Sequence, residues 1–169
     1  MKTALVIVDV QNEYFDKKSD YFCGNETLIR KINRLIDFCR KNNSKIIFIR
    51  HEEQSETGPF AKNSKNSEII SELHKNNSDA IITKHKVSSF YNTNIEKELQ
   101  GVEKIIVAGI LTNLCVRMFV EEAYDRDFKI DVIKDCCVTL NKKIQKYTFD
   151  DIALTRPEVE QKNLAEFLK

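Results

Sequence analysis

Residues 103–117 read Glu-Lys-Ile-Ile-Val-Ala-Gly-Ile-Leu-Thr-Asn-Leu-Cys-Val-Arg. Ile105, Ile106, Val107 and Ala108 form an unbroken apolar run, the pattern of a parallel strand covered on both faces. Gly109 interrupts the run, and Thr112 or Asn113 is a candidate cap for a following helix. Cys115 then falls in the first turn of that helix. Free backbone N–H groups and the positive end of the helix dipole favour a thiolate there. The same amides suit a developing oxyanion. Cys115 is therefore a candidate nucleophile. Its competing reading is a core cysteine, since free cysteine is among the most buried residue types.

Outward from this stretch, strand-like runs recur at 3–8, 45–50, 79–83 and 129–134. Between them, Leu28, Ile32, Leu35, Ile36 and Cys39 mark an amphipathic helix over 26–41, with Asn25 able to cap it. Residues 67–74 and 94–99 read as shorter helices, and 113–125 as another amphipathic one. Strands alternating with helices give βαβ units and a parallel sheet. The expectation is one domain over residues 1–169: an α/β fold, a three-layer α/β/α sandwich around a central, mostly parallel, Rossmann-like sheet of five to six strands. The wholly apolar first strand is expected at the centre. Ligands in such sheets bind beyond the carboxyl ends of the strands. Asp9, Arg50–His51, Lys84 and Cys115 each follow a strand, so separate stretches converge on one edge.

Charged residues make up 31% of the chain and balance to a formal +1. No long-range field then points to nucleic acid or an anionic membrane. No apolar run approaches the roughly 18–20 residues that span a bilayer. The opening residues turn acidic at Asp9, too soon for a signal peptide. Five cysteines (23, 39, 115, 136 and 137) without zinc-type spacing suit a reducing cytoplasm. Cys136 and Cys137 read as small residues near a strand end, or as a redox pair. Phosphate-binding glycine motifs are absent, and no metal-ligand pattern accompanies His51, His74 or His85. Neither a cofactor nor a metal is expected.

Each candidate carries a dull reading beside the chemical one. Asp9 either caps a loop and pairs with a surface lysine, or moves protons within a cleft, where an unpaired carboxylate would be costly. Lys84 either snorkels to the surface, as Lys86 does, or holds the charge of Asp9.

Five blocks in order carry a family resemblance: Val-Ile-Val-Asp-Val-Gln-Asn-Glu-Tyr-Phe (6–15), Phe-Ile-Arg-His-Glu-Glu (48–53), Lys84 with Ser88-Ser89-Phe90 and Thr93, Ala-Gly-Ile-Leu-Thr-Asn-Leu-Cys-Val (108–116), and Val-Ile-Lys-Asp (132–135). Together they resemble the isochorismatase-like cysteine hydrolases, a superfamily that includes nicotinamidases, carbamoylsarcosine amidohydrolases and ureidoacrylate amidohydrolases. The resemblance implies a catalytic triad of Asp9, Lys84 and Cys115. It implies an oxyanion hole from the amides of Leu111 and Cys115, and a cis peptide between Ile110 and Leu111. It also implies a substrate pocket drawing on Phe15, His51, Phe90, Tyr91 and Thr112, and a homodimer or homotetramer.

The implied activity is hydrolysis of a C–N bond in a small amide, carbamoyl or ureido compound through a thioester. Only His51 stands where nicotinamidases of this type carry a metal site, so the expected chemistry is metal-independent. Vinyl-ether cleavage, the reaction of isochorismatases proper, dispenses with the cysteine present here. No histidine-bearing helix is recognisable over 140–147. Two other readings remain at this point: a binding or regulatory protein whose chemistry has lapsed, and a flavodoxin-like ligand-binding module.

Overall fold

The computed structural model describes residues 1–169. In chain order the principal elements are β1 (Thr3–Val8), α1 (Glu26–Lys41), β2 (Lys45–His51), β3 (Ala80–Lys84), α2 (Ile95–Glu98), β4 (Lys104–Ile110), α3 (Arg117–Tyr124), β5 (Lys129–Val138), α4 (Lys142–Thr155), β6 (Glu160–Lys162) and α5 (Leu164–Phe167). All six strands pair in parallel, in the order β3-β2-β1-β4-β5-β6.

β1 lies inside the sheet because its residues are apolar on both faces. Ala4, Val6 and Val8 enter one hydrophobic core, with Phe119, Val120 and Ile152. Leu5 and Ile7 enter the other, with Ile32, Leu35 and Ile36 of α1. Helices thus cover both faces, which a fully apolar parallel strand requires. Asn25 caps α1, its side chain accepting from the Leu28 amide at 3.0 Å. No helix is long and apolar enough to cross a membrane.

The strand registers level the carboxyl edge. Val8 pairs with Ile49 on one side and Gly109 on the other, and His51 pairs with Lys84. Gly109 has φ +140, and a Cβ there would stand 2.1 Å from the Val8 carbonyl oxygen. Only glycine lets β4 approach β1 this closely at the point where both strands deliver their candidate site residues.

Three expectations are corrected. Residues 67–74 are not a helix: a 3-10 turn over Lys65–Ser67 is followed by a bridge between Ile69 and Gln11. The Asn12 amide donates to Glu68 and the Ile70 amide to Val10, so this backbone is committed to the end of β1. Second, β5 continues past 134 to Val138, with a register shift opposite Val107–Gly109. The region after residue 140, whose structure the sequence left open, holds a helix without histidine. Asn141 caps α4 through the amides of Lys143 and Ile144. Its apolar residues obscured it, because Ile144, Tyr147 and Leu154 face outward. The third correction is the cap before Cys115, described with the site below. β6 is a short Glu-Gln-Lys edge strand with no apolar pattern to announce it.

Candidate active site

Three side chains from three strand ends meet on the carboxyl edge. Asp9 follows β1 with φ 52, a left-handed conformation that aspartate tolerates better than most residues. Its amide donates to the Ile49 carbonyl at 3.0 Å, which ties the turn to β2. Lys84 ends β3, and its side chain is shielded from solvent along with that of Asp9. Lys84 Nζ lies 2.9 Å from Asp9 Oδ2. It also donates to the Lys86 carbonyl at 3.1 Å and to Cys115 Sγ at 3.4 Å. Two hydrogen-bond acceptors and the Asp9 carboxylate thus surround the ammonium. The Asp9 oxygens make no well-aligned hydrogen bond, so their contact with Lys84 is one of charge.

Cys115 sits in a wide turn over Thr112–Val116, in which the Val116 amide reaches back five residues to the Leu111 carbonyl. The peptide between Ile110 and Leu111 is cis. Neither Thr112 nor Asn113 caps the turn, in contrast to the sequence expectation. Thr112 Oγ1 donates to Gln145 Oε1 at 2.8 Å, and Asn113 Oδ1 accepts from Thr139. Both side chains tie the turn to the later part of the chain: Gln145 Nε2 also donates to the Cys137 carbonyl at 3.0 Å.

The resting thiol is not the thiolate that helix-start placement favours. Burial and then the Asp9 carboxylate push it up to about 12, against the opposing pull of Lys84. Burial disfavours the Lys84 charge, yet Asp9 and Cys115 outweigh that and hold its pKa above the ordinary lysine value. Both effects leave the proton on the Cys115 sulfur and the charge on Lys84.

Above the sulfur opens a cleft of about 320 Å³. Leu111, Leu114 and Cys115 form one side, and Tyr14, Tyr21, Phe60 and His51 bring aromatic surface to another. A wider groove of about 700 Å³ lies beside it, sharing Lys86 but containing no member of the Asp9–Lys84–Cys115 group. Size alone would select the wrong depression. Chemistry selects the smaller one.

His51 is fixed from two directions. Its amide donates to Gln11 Oε1 at 2.8 Å, and its carbonyl accepts from Gln11 Nε2 at 2.6 Å. Its ring Nε2 lies 2.9 Å from Glu53 Oε1. His85, also on the cleft, spends Nδ1 on the Glu52 carbonyl at 2.6 Å. No group of three His, Cys, Asp or Glu side chains is arranged to hold a metal ion.

Residues 3–160 match the family model described as the isochorismatase domain. The chain belongs to the isochorismatase family. The family protein YddQ of Bacillus subtilis (strain 168) is 26% identical over 148 residues, covering 86% of this chain and 82% of YddQ. Nicotinamidase 3 of Arabidopsis thaliana is 26% identical over 165 residues, covering 89% of this chain and 80% of the nicotinamidase. A solved isochorismatase-like hydrolase from Alkaliphilus metalliredigens has the same fold, with a TM-score of 0.88 at 20% identity over 99% of this chain and 98% of that one.

Within this isochorismatase-family hydrolase the expected site residues divide. Asp9, Lys84 and Cys115 come together, Leu111 and Cys115 border the cleft, and His51 lines it. Four of the five proposed substrate contacts do not reach it. Phe15 packs over Gly24, where a Cβ would stand 2.4 Å from its ring. Phe90 stacks on Phe119 beneath the Arg126 guanidinium and, with Tyr91, borders the wider groove. Thr112 is buried against Gln145. The aromatic residues that do line the cleft include Tyr14, Tyr21 and Phe60. Tyr14 is adjacent to the Phe15 expected from sequence, and in the 3-10 turn Asn12–Phe15 it is Tyr14, rather than Phe15, that lines the cleft. Phe60 stands in an irregular loop with no periodicity to flag it.

Proposed function

We propose that this hydrolase is a metal-independent cysteine amidohydrolase that cleaves the C–N bond of a small amide, carbamoyl or ureido compound. The observation that carries the reading is one lysine ammonium within reach of both a buried carboxylate and a buried thiol at the floor of a cleft.

Asp9 takes the thiol proton as Cys115 Sγ bonds to the substrate carbonyl carbon. The amides of Leu111 and Cys115 hold the resulting oxyanion, and Lys84 balances charge as the proton moves from sulfur to carboxylate. Asp9 returns that proton to nitrogen as the C–N bond breaks, leaving a thioester and free ammonia or amine. Water then adds to the thioester, giving a proton to Asp9. The C–S bond breaks, the acid departs, and the proton passes from Asp9 to sulfur. A thiol held at about 12 needs such a base, because attack and deprotonation must occur together.

A panel of amides, carbamoyl and ureido compounds assayed for ammonia release tests this reading. Cys115→Ala should cut kcat by at least about a thousandfold while leaving the fold intact. Hydrolysis at the wild-type rate in that variant would refute the mechanism. Five unpaired cysteines are compatible with a cytoplasmic setting. Tyr91, Leu114 and Met118 expose apolar surface beside the cleft, which supports a homodimer or homotetramer. Sedimentation showing only monomer would exclude that assembly.

A further inference from the structure

Tyr14 has a hydroxyl that the three-residue chemistry leaves idle. Its residue is only 3% exposed, yet it lines the cleft above Cys115. The ring is held rather than loose. Phe60 packs against it with ring centroids 5.1 Å apart, and Tyr21 meets it edge-on at 6.4 Å. The Tyr14 carbonyl accepts from the amides of Cys23 and Gly24 at 3.0 and 2.8 Å, anchoring the backbone beneath. A tyrosine this enclosed ordinarily directs its hydroxyl at a partner. Here the protein supplies none, and the open side is the cleft.

The surroundings also decide the direction of any hydrogen bond. Burial, then the nearby Asp9 and Cys115, raise the phenol pKa well above its ordinary value, so the proton stays on oxygen. Tyr14 is then a standing donor. Its role is distinct from its neighbours', because Lys84 is occupied by Asp9, Lys86 and Cys115. The amides of Leu111 and Cys115 serve the carbonyl under attack.

We infer that the Tyr14 hydroxyl is a specificity-determining donor, selecting small planar amides whose acyl group carries a hydrogen-bond acceptor, such as a ring nitrogen or second carbonyl oxygen, over isosteric amides that lack one. The planar shape follows from the aromatic surfaces of Tyr14, Tyr21 and Phe60 around a cleft of about 320 Å³. This inference rests on the amidase reading of the same cleft.

The test compares the three pyridinecarboxamide isomers with benzamide, which has the same shape without the ring nitrogen. At least one isomer should exceed benzamide in kcat/KM, and Tyr14→Phe should lower that ratio about tenfold. The phenylalanine keeps the ring, so a merely structural role would leave the ratio unmoved. The same ratio is read without turnover from calorimetric affinities in the Cys115→Ala background, with and without Tyr14→Phe. A binding ratio that falls with Tyr14→Phe, when the parent protein with Cys115 intact hydrolyses none of these amides, sustains the Tyr14 assignment and removes the hydrolase reading. A ratio unchanged by the substitution, or no preference in the parent protein, overturns the assignment whether or not amides are hydrolysed.

Discussion

Lys84 and Asp9 form an ion pair at 2.9 Å from which solvent is excluded on both sides. Each charge is tolerable there only because of the other, since desolvation of one alone would not be offset. Removing the ammonium alone should therefore be costly. Lys84→Met is expected to lose about 3–5 kcal/mol of stability by leaving the carboxylate uncompensated. Adding Asp9→Asn should restore much of that loss without restoring activity. Urea denaturation of the two variants, read beside ammonia release, checks both halves. A single variant as stable as the parent would mean the pair is not dry.

The pH dependence of alkylation reports the state of Cys115. With the thiol near 12, the thiolate fraction grows tenfold for each pH unit across the neutral and mildly alkaline range. Iodoacetamide labelling at this position, followed by peptide mass spectrometry, should rise with unit slope from pH 7 to about 10. Lys84→Met, which removes the influence that lowers the thiol pKa, should slow it further. A plateau beginning below pH 8 would reveal a resting thiolate and a different division of protons.

Gly109 is a steric requirement of the site. An alanine Cβ would meet the Val8 carbonyl oxygen at 2.1 Å with the backbone at φ +140. Gly109→Ala should separate β4 from β1 and displace both Asp9 and the Cys115 turn. The expected result is a fall in melting temperature together with near-complete loss of turnover, measured by calorimetry and the ammonia assay. A variant with parental stability would contradict the close strand approach.

Gln11 holds three backbone groups at once. Besides its two bonds to His51, its Nε2 donates to the Ser67 carbonyl at 2.7 Å. Gln11→Ala would strand these groups, at a cost of about 2–4 kcal/mol on the scale of buried unsatisfied polar groups. Because it anchors the wall that carries His51, KM should rise more than kcat falls. Denaturation and steady-state kinetics check the two parts, and a pure kcat effect would speak against a positioning role.

The layered α/β architecture, the central place of β1 and the gathering of Asp9, Lys84 and Cys115 at one edge could be read from residue order. Apolar runs flanked by polar turns report burial directly, and parallel sheets place strand ends together. Cys115 was also legible as a residue, but its protonation was not. Helix-start placement favours a thiolate, whereas enclosure and a carboxylate beside it favour the thiol. That balance depends on neighbours brought from distant positions in the chain.

The cleft wall shows the same division. Ile69, Ile70 and Leu73 have helix-like spacing, yet the segment was claimed by hydrogen bonds from the end of β1. Phe15 and Tyr14 are both aromatic and adjacent, and one 3-10 turn decides which lines the cleft. By itself, then, the chain's pattern of apolar runs and breaks determined the layers and the order in which reactive groups arrive. Tertiary packing alone decided which side chains line the cleft and where the proton rests, because both depend on contacts between residues far apart in sequence.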